Sequence, residues 1–169
     1  MRAVTQRVKK ARVRVAGKPG GISVRMLTFT ERILFDNRES GKIGPGLLVY
    51  LSVAKKDSEK DAEFIAEKLV NLRIFKDEAG KMNKSVLDIK GEVLAVSNFT
   101  LHGDCRKGRR PGFDDAAKPE PANRLYEKVC SLIEAKGVRV QKGVFGEYME
   151  VESVNDGPIN FLLDSTRLF

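Results

Sequence analysis

The chain has 169 residues, enough for one domain with its own core, and its 32% charged and 41% hydrophobic residues are an ordinary soluble globular balance. No apolar run approaches a membrane span, two cysteines are too few for a disulfide framework, and a single histidine argues against a zinc site. The net charge of +8 favours polyanionic partners through counterion release.

The N-terminus, MRAVTQ, lacks an apolar h-region and reads as a first strand rather than a signal peptide. Residues 2–8 and 11–16 read as two strands. In the second, Val13 and Val15 alternate with Arg12 and Arg14, a half-buried pattern. Residues 17–45 show strand-like alternation on both sides of Thr30-Glu31 and read as an insertion or extended hairpin. GLLVYLSV, residues 46–53, is a nearly continuous apolar run suited to a central strand. Asp57-Ser58 opens a helix with Glu59 and Asp61 in its first turn and an apolar stripe of Phe64, Ile65, Leu69 and Leu72. RIFKDEAGKMN predicts a short strand and a turn around Ala79-Gly80. Residues 92–101, EVLAVSNFTL, read as another buried strand. Pro119 and Pro121 suit the first turn of a second helix, which turns Leu125, Val129, Leu132 and Ile133 inward and stops at Gly137. GVRVQKGVF, YMEVESV and PINFLLDS complete a strand-rich last third.

The order strands, helix, strands, helix, strands predicts a mixed α/β fold. Its largely antiparallel sheets form a barrel-like core with two main helices, in one domain over 1–169. Cys105 and Cys130 read as reduced thiols of a cytosolic protein. Cations cluster at Arg2, Arg7, Lys9, Lys10, Arg12 and Arg14. A second cluster of Arg106, Lys107, Arg109 and Arg110 lies on a loop marked by Gly108 and Pro111-Gly112. Each is either a solvated surface or a phosphate-binding patch.

SNFTL, residues 97–101, places Ser97 and Thr100 at the end of a buried strand, where a rigid scaffold holds side chains. A serine-hydrolase triad lacks its base, because His102 is the only imidazole and lies in the same short stretch. Near the C-terminus, Asn-Asp-Gly-Pro precedes the apolar run Ile159 to Leu163. Pro158 cannot donate to a ladder and Gly157 packs no side chain, so the dipeptide reads as a turn feeding a last strand.

MRAVTQRVKKARVRV, GLLVYLSV, KLVNLRIFKDEAGKMNKSVLDIKGEVLAVSNFTL, DCRKGRRPGF and NDGPINFLLDS together resemble the D-aminoacyl-tRNA deacylases of the D-Tyr-tRNA type. The resemblance implies a cytosolic homodimer that hydrolyses the ester joining a D-amino acid to tRNA, with no cofactor, no metal and no membrane association. It implies that Ser97, Asn98, Phe99 and Thr100 form the catalytic motif, Ser-Gln-Phe-Thr in the family. Gly157 and Pro158 match the family's Gly-Pro, a cis dipeptide inserted into the partner's site as a chirality filter. Phe113, Ala116 and Met149 then line the substrate pocket, and Arg106, Lys107, Arg109 and Arg110 meet tRNA. Three positions depart from the family pattern: Asn98 for Gln, Asn160 for Thr and Gly112 for Ser.

The filter is physically reasonable. An X-Pro bond is cis at a cost of about 0.5–1 kcal/mol. Glycine lets main chain approach a ligand closely, and main chain beside the substrate Cα accepts hydrogen and rejects a side chain there. Glycyl-tRNA is therefore an expected substrate. For hydrolysis, either Thr100 attacks, or backbone N–H groups hold the oxyanion while the tRNA ribose 2′-OH activates water. The missing base favours the second. The alternatives are a non-enzymatic tRNA- or RNA-binding protein, on the charge alone, and a small-molecule esterase or peptidase using Ser97 or Thr100.

Overall fold

A computed structural model describes residues 1–16 and 37–168. Residues 17–36, most of the predicted insertion, lie outside the described residues. Residues 37–43 of that segment belong to the sheet.

The described residues form eight strands and two helices: β1 (Arg2–Ala16), β2 (Asn37–Ile43), β3 (Gly46–Ser52), α1 (Glu59–Asn71), β4 (Phe75–Lys76), β5 (Met82–Lys84), β6 (Glu92–Ser97), α2 (Pro119–Ala135), β7 (Arg139–Lys142) and β8 (Met149–Asp164). The main sheet runs β2-β1-β3-β6-β7, with β8 on β1, and β4 and β5 make a separate hairpin. Pairings of β1 with β2, β3 and β8 are antiparallel. The β3–β6 and β6–β7 pairings are parallel, because their connections carry α1 and α2.

The sheet curls until β2 approaches β7. The absent side chain of Gly41 permits this: a β-carbon there would lie 3.1 Å from Lys142 O and 2.9 Å from Leu94 Cδ1. The nearly closed, barrel-like sheet bears out the predicted fold class. Its interior holds Val8, Ala11, Val13, Ile43, Leu48, Leu94 and Val96. On the outer face, α1 and α2 cover Leu47, Val49, Leu51, Val93 and Ala95. β3 and β6 are thus buried on both faces, which is why their sequences are continuously apolar rather than alternating.

Two predicted boundaries differ. Residues 2–8 and 11–16 form one strand, not two. β1 leaves β3 at Val8 and takes up β2 at Ala11, with β8 along its other edge throughout. The exposed Lys9-Lys10 step is the register shift at this handover. YMEVESV and PINFLLDS likewise merge into the single strand β8.

Local chemistry fixes the helices. The Asp61 carboxylate accepts from the Ser58 N–H at 2.8 Å and the Ser58 hydroxyl at 2.7 Å, closing the start of α1. Pro119 begins α2, and Gly137 ends it at φ +89°. The buried Tyr126 hydroxyl donates to Ala95 O at 3.0 Å, tying α2 to β6.

His102 is buried. Its Nδ1 lies 2.6 Å from Ser52 Oγ. Burial, and then the Arg2 charge, hold its imidazole below the ordinary histidine value; the Met1 amino group acts in the same sense, and Asp57 and Asp164 act oppositely. The folded pKa is thus below the unfolded value of about 6.5. The unfolded chain binds the proton more readily, so this contribution is full above about pH 6.5 and is lost as pH falls through the folded pKa. Because the chain has one histidine, denaturant midpoints between pH 5 and 7.5 should fall towards acid. His102→Gln should flatten that slope, and an unchanged slope in the variant would refute the assignment.

Candidate active site

The predicted strand through Leu101 stops at Ser97, and a 3-10 turn, Phe99–His102, follows. Asn98 causes the change. Its N–H still donates to Leu51 O at 2.8 Å, continuing the pairing with β3. Its side-chain Oδ1 accepts from Thr100 N–H at 3.1 Å and from the Thr100 hydroxyl, capping the turn as an N-cap does. Ser97 and Asn98 are half-buried, whereas Phe99 and Thr100 are exposed.

The arrangement bears directly on which group can react. The Thr100 hydroxyl is committed to Asn98, and His102 turns its Nδ1 to Ser52 on β3. The Asn98 N–H is used by β3, and the turn's own bonds use the N–H groups of Thr100, Leu101 and Gly103. The Phe99 N–H has no acceptor among the described residues. A main-chain donor at an exposed, rigid strand end is suited to an oxyanion. The buried Cys130 is no nucleophile, since burial pushes its thiol up to about 12. Among the described residues, no group of three or more His, Cys, Asp or Glu side chains is placed to hold a metal ion.

Two of the three predicted pocket residues stand on the loop after this turn. Phe113 meets Phe99 edge to face, ring centroids 5.0 Å apart. Ala116 bridges to Ala54 beyond the end of β3, and its N–H donates to Phe113 O at 3.1 Å. Met149 comes from elsewhere, at the start of β8. Its sulfur lies against Gly143, where a β-carbon would approach it to 2.6 Å. Gly143 N–H donates to Ala95 O, two residues before Ser97.

Paired N–H···O bonds between Asp104 and Gly112, of 2.7 and 2.9 Å, close the basic loop at its base. Its four cations are not equivalent. Arg106 makes a two-pronged contact with the Asp104 carboxylate at 2.8 and 2.7 Å, which holds that carboxyl well below the usual range. Lys107, Arg109 and Arg110 are exposed and have no ion pair among the described residues.

Gly157 and Pro158 are not a turn before a strand. They lie inside β8, on a bulge. Gln6 pairs with Asn160 and Val8 with Asn155, so residues 156–159 loop out of the ladder. Both residues of the dipeptide are exposed, their peptide bond is cis, and Gly157 has φ +132°. A β-carbon on Gly157 would lie 2.6 Å from Ile159 Cγ1 and 2.9 Å from Ile159 N.

Beneath the bulge is Arg7, which by residue type alone groups with the surface cations. It is 4% exposed. Its guanidinium donates to Ile74 O at 2.5 Å and Asp156 O at 3.2 Å, and pairs with the Asp156 carboxylate at 2.9 Å. A sequence signal for this burial exists: Arg7 is in phase with the buried Ala3 and Thr5, on the inward side of a period-2 strand.

One chain does not bring the dipeptide and the turn together. Arg2 donates to Leu101 O at 3.1 Å, in the turn, while Arg7 holds Asp156, in the bulge. These arginines point to opposite faces of β1, and the five residue steps from one to the other span about 17 Å at the strand rise.

The whole chain has close relatives. A D-aminoacyl-tRNA deacylase from Anaeromyxobacter dehalogenans is 53% identical over 169 residues, covering all of both chains. One from Thermosipho africanus is 48% identical over the same length, again covering all of both. A solved structure titled c-Myc DNA Unwinding Element Binding Protein superposes with TM-score 0.80 at 34% identity, covering 97% of this chain and 98% of that one. Another, of a probable eukaryotic D-amino acid tRNA deacylase, shares the fold with TM-score 0.72 at 17% identity, covering 96% and 97%. The family described as D-Tyr-tRNA(Tyr) deacylase matches residues 4–164, and the chain belongs to that family.

Proposed function

We propose that the protein hydrolyses the ester joining a D-amino acid, or glycine, to the terminal ribose of tRNA. The products are the free amino acid and tRNA, and the outcome is chiral proofreading in translation. The observation that supports this reading, beside family membership, is that the chain carries both a main-chain donor at Phe99 without an acceptor among the described residues and an exposed main-chain loop at Gly157-Pro158.

In this reading water adds to the ester carbonyl and its oxygen develops charge against the Phe99 N–H. The ribose 2′-OH assists the attacking water. Collapse breaks the bond to the ribose oxygen, which leaves with the proton that the attacking water gives up by way of the 2′-OH. Asn98 sets the turn, Ser97 stands at the strand end just before it, Phe113, Ala116 and Met149 line the substrate, and Thr100 serves structure through Asn98. The separation of bulge and turn within one chain supports a homodimer in which each copy lends its Gly157-Pro158 to the other's site. The whole chain then works as a single domain of a cytosolic enzyme. No helix among the described residues is long and apolar enough to cross a membrane.

The deciding experiment is hydrolysis of matched D- and L-Tyr-tRNA by the purified protein. D-Tyr-tRNA and glycyl-tRNA should be cleaved and L-Tyr-tRNA spared. Efficient L-cleavage removes the filter, and binding without hydrolysis leaves an RNA-binding protein. Gly157→Ala should lower D-activity and cost stability as well, because its methyl would run into Ile159 and φ +132° is strained for a residue with a β-carbon, so the loop has to shift.

Thr100→Ala should keep substantial turnover, whereas tRNA ending in 2′-deoxyadenosine should be a poor substrate. Complete loss in Thr100→Ala, with fold and tRNA binding intact, would make Thr100 the nucleophile.

Neutralising Lys107 and Arg109 together should weaken different tRNAs about equally and lower the salt slope by about one per cation. Arg106→Gln should do less, since its charge is already matched by Asp104. Unchanged affinity at low salt in the double variant would return the loop to solvated surface.

A further inference from the structure

Gly157 and Pro158 carry no side chain that could anchor them, yet a filter has to hold its position to better than the size of a methyl group. We infer that Asn155 and Asn160 form a clasp across the neck of the bulge, and that the clasp is a positioning device for chiral selectivity. This rests on the filter reading above.

Asn155 and Asn160 are the last paired residues on either side of the bulge, opposite Val8 and Gln6. The two ends of the Asn155 amide act separately. Its Nδ2 donates to Asn160 Oδ1 at 2.7 Å, bridging the neck. Its Oδ1 accepts from the Ile159 N–H at 3.0 Å, fixing the backbone that follows Pro158. Ile159 packs partly buried against the helix-side core, and Gly157 is pressed so closely on Ile159 that no β-carbon fits between them. Fixing Ile159 therefore fixes Gly157. Arg7 holds the other arm through Asp156. The loop is braced on both arms, with the exposed dipeptide alone at its tip.

Asn160 is itself exposed, and its amide oxygen serves Asn155. The departure from the family pattern at this position thereby supplies an acceptor for Asn155, which an aspartate also offers and an alanine does not.

The test compares D- and L-Tyr-tRNA deacylation under single turnover with hydrogen exchange at the Ile159 amide, which needs no substrate. Asn155→Ala should lose protection at Ile159 and reduce the D-over-L rate ratio by roughly tenfold, the worth of one ordinary hydrogen bond. Asn160→Ala should reduce the ratio in the same direction, and Asn160→Asp should restore it. A merely structural role predicts equal losses on both substrates and no rescue. Should Asn155→Ala fail to fold, the Asn160→Ala and Asn160→Asp pair decides alone. A ratio unchanged in folded Asn155→Ala, persistent Ile159 protection there, or Asn160→Asp as damaging as Asn160→Ala overturns the clasp. Failure of the parent protein to discriminate D from L, with Ile159 protection lost in Asn155→Ala, overturns the filter instead and leaves the clasp a structural brace.

Discussion

A mismatch in residue count along the β1–β8 ladder shapes the molecule. Between two rungs β1 advances from Gln6 to Val8, while β8 advances from Asn155 to Asn160. The surplus residues have to leave the sheet. Those that leave include a proline with no N–H and a glycine at positive φ, the two types least useful to a ladder. The gap they leave is plugged by the Arg7 guanidinium, whose fixed fork of donors reaches Ile74 O, Asp156 O and the Asp156 carboxylate. A buried cation adds little net stability, because desolvation offsets its attractions. Its contribution is direction. A lysine would supply a point charge on a flexible stem and could not hold two carbonyls and a carboxylate along set axes.

That rigidity explains why main chain makes a better filter than side chains. A pocket wall made of side chains yields to a wrong substrate by leaving its preferred rotamer, at about 0.5–1.5 kcal/mol. Such a concession is worth roughly a factor of ten in rate. A backbone loop tied at both arms has no equivalent escape. In the proposed site such a loop reads only the substituents at the substrate Cα, which accords with a filter indifferent to which amino acid is attached.

Much of the fold is legible in sequence because local and global signals agree there. β3 and β6 are apolar throughout and buried on both faces, the Ser58 and Asp61 signals do start α1, and Pro119 does start α2. The misread places are those where one local signal has two tertiary meanings. Lys9-Lys10 looks like the end of a strand and is a bulge where β1 changes partners. Asn-Asp-Gly-Pro looks like a turn and is a bulge inside β8. Asn98 looks like a strand residue, and only its contact with Thr100 shows it ending the strand. Arg7 and His102 look like surface groups by residue type. Their burial depends on partners far away in sequence, Ile74 and Asp156 for one and Ser52 for the other. The Ser97–Thr100 motif and the dipeptide are visible as sequence. Their separation within one chain is not, because it follows from the two faces of β1.

The placement of donors also bears on the departures from the family pattern. Asn98 stands where the family has Gln, yet its shorter side chain reaches Thr100 N–H and caps the turn. The N–H of this turn without an acceptor among the described residues is that of Phe99, a main-chain group whose position depends on that cap and on the rung from Asn98 to Leu51. At the other end of the proposed site, Gly157 and Pro158 again act through main chain. Side chains then have the supporting role throughout: Asn98 for the turn, Asn155, Asn160 and Arg7 for the loop. Substitutions in such a site are tolerated when they keep a hydrogen bond in place and are harmful when they remove one. In the proposed site, catalysis and selectivity both rest on backbone atoms, and the sequence can vary around them as long as the backbone is held.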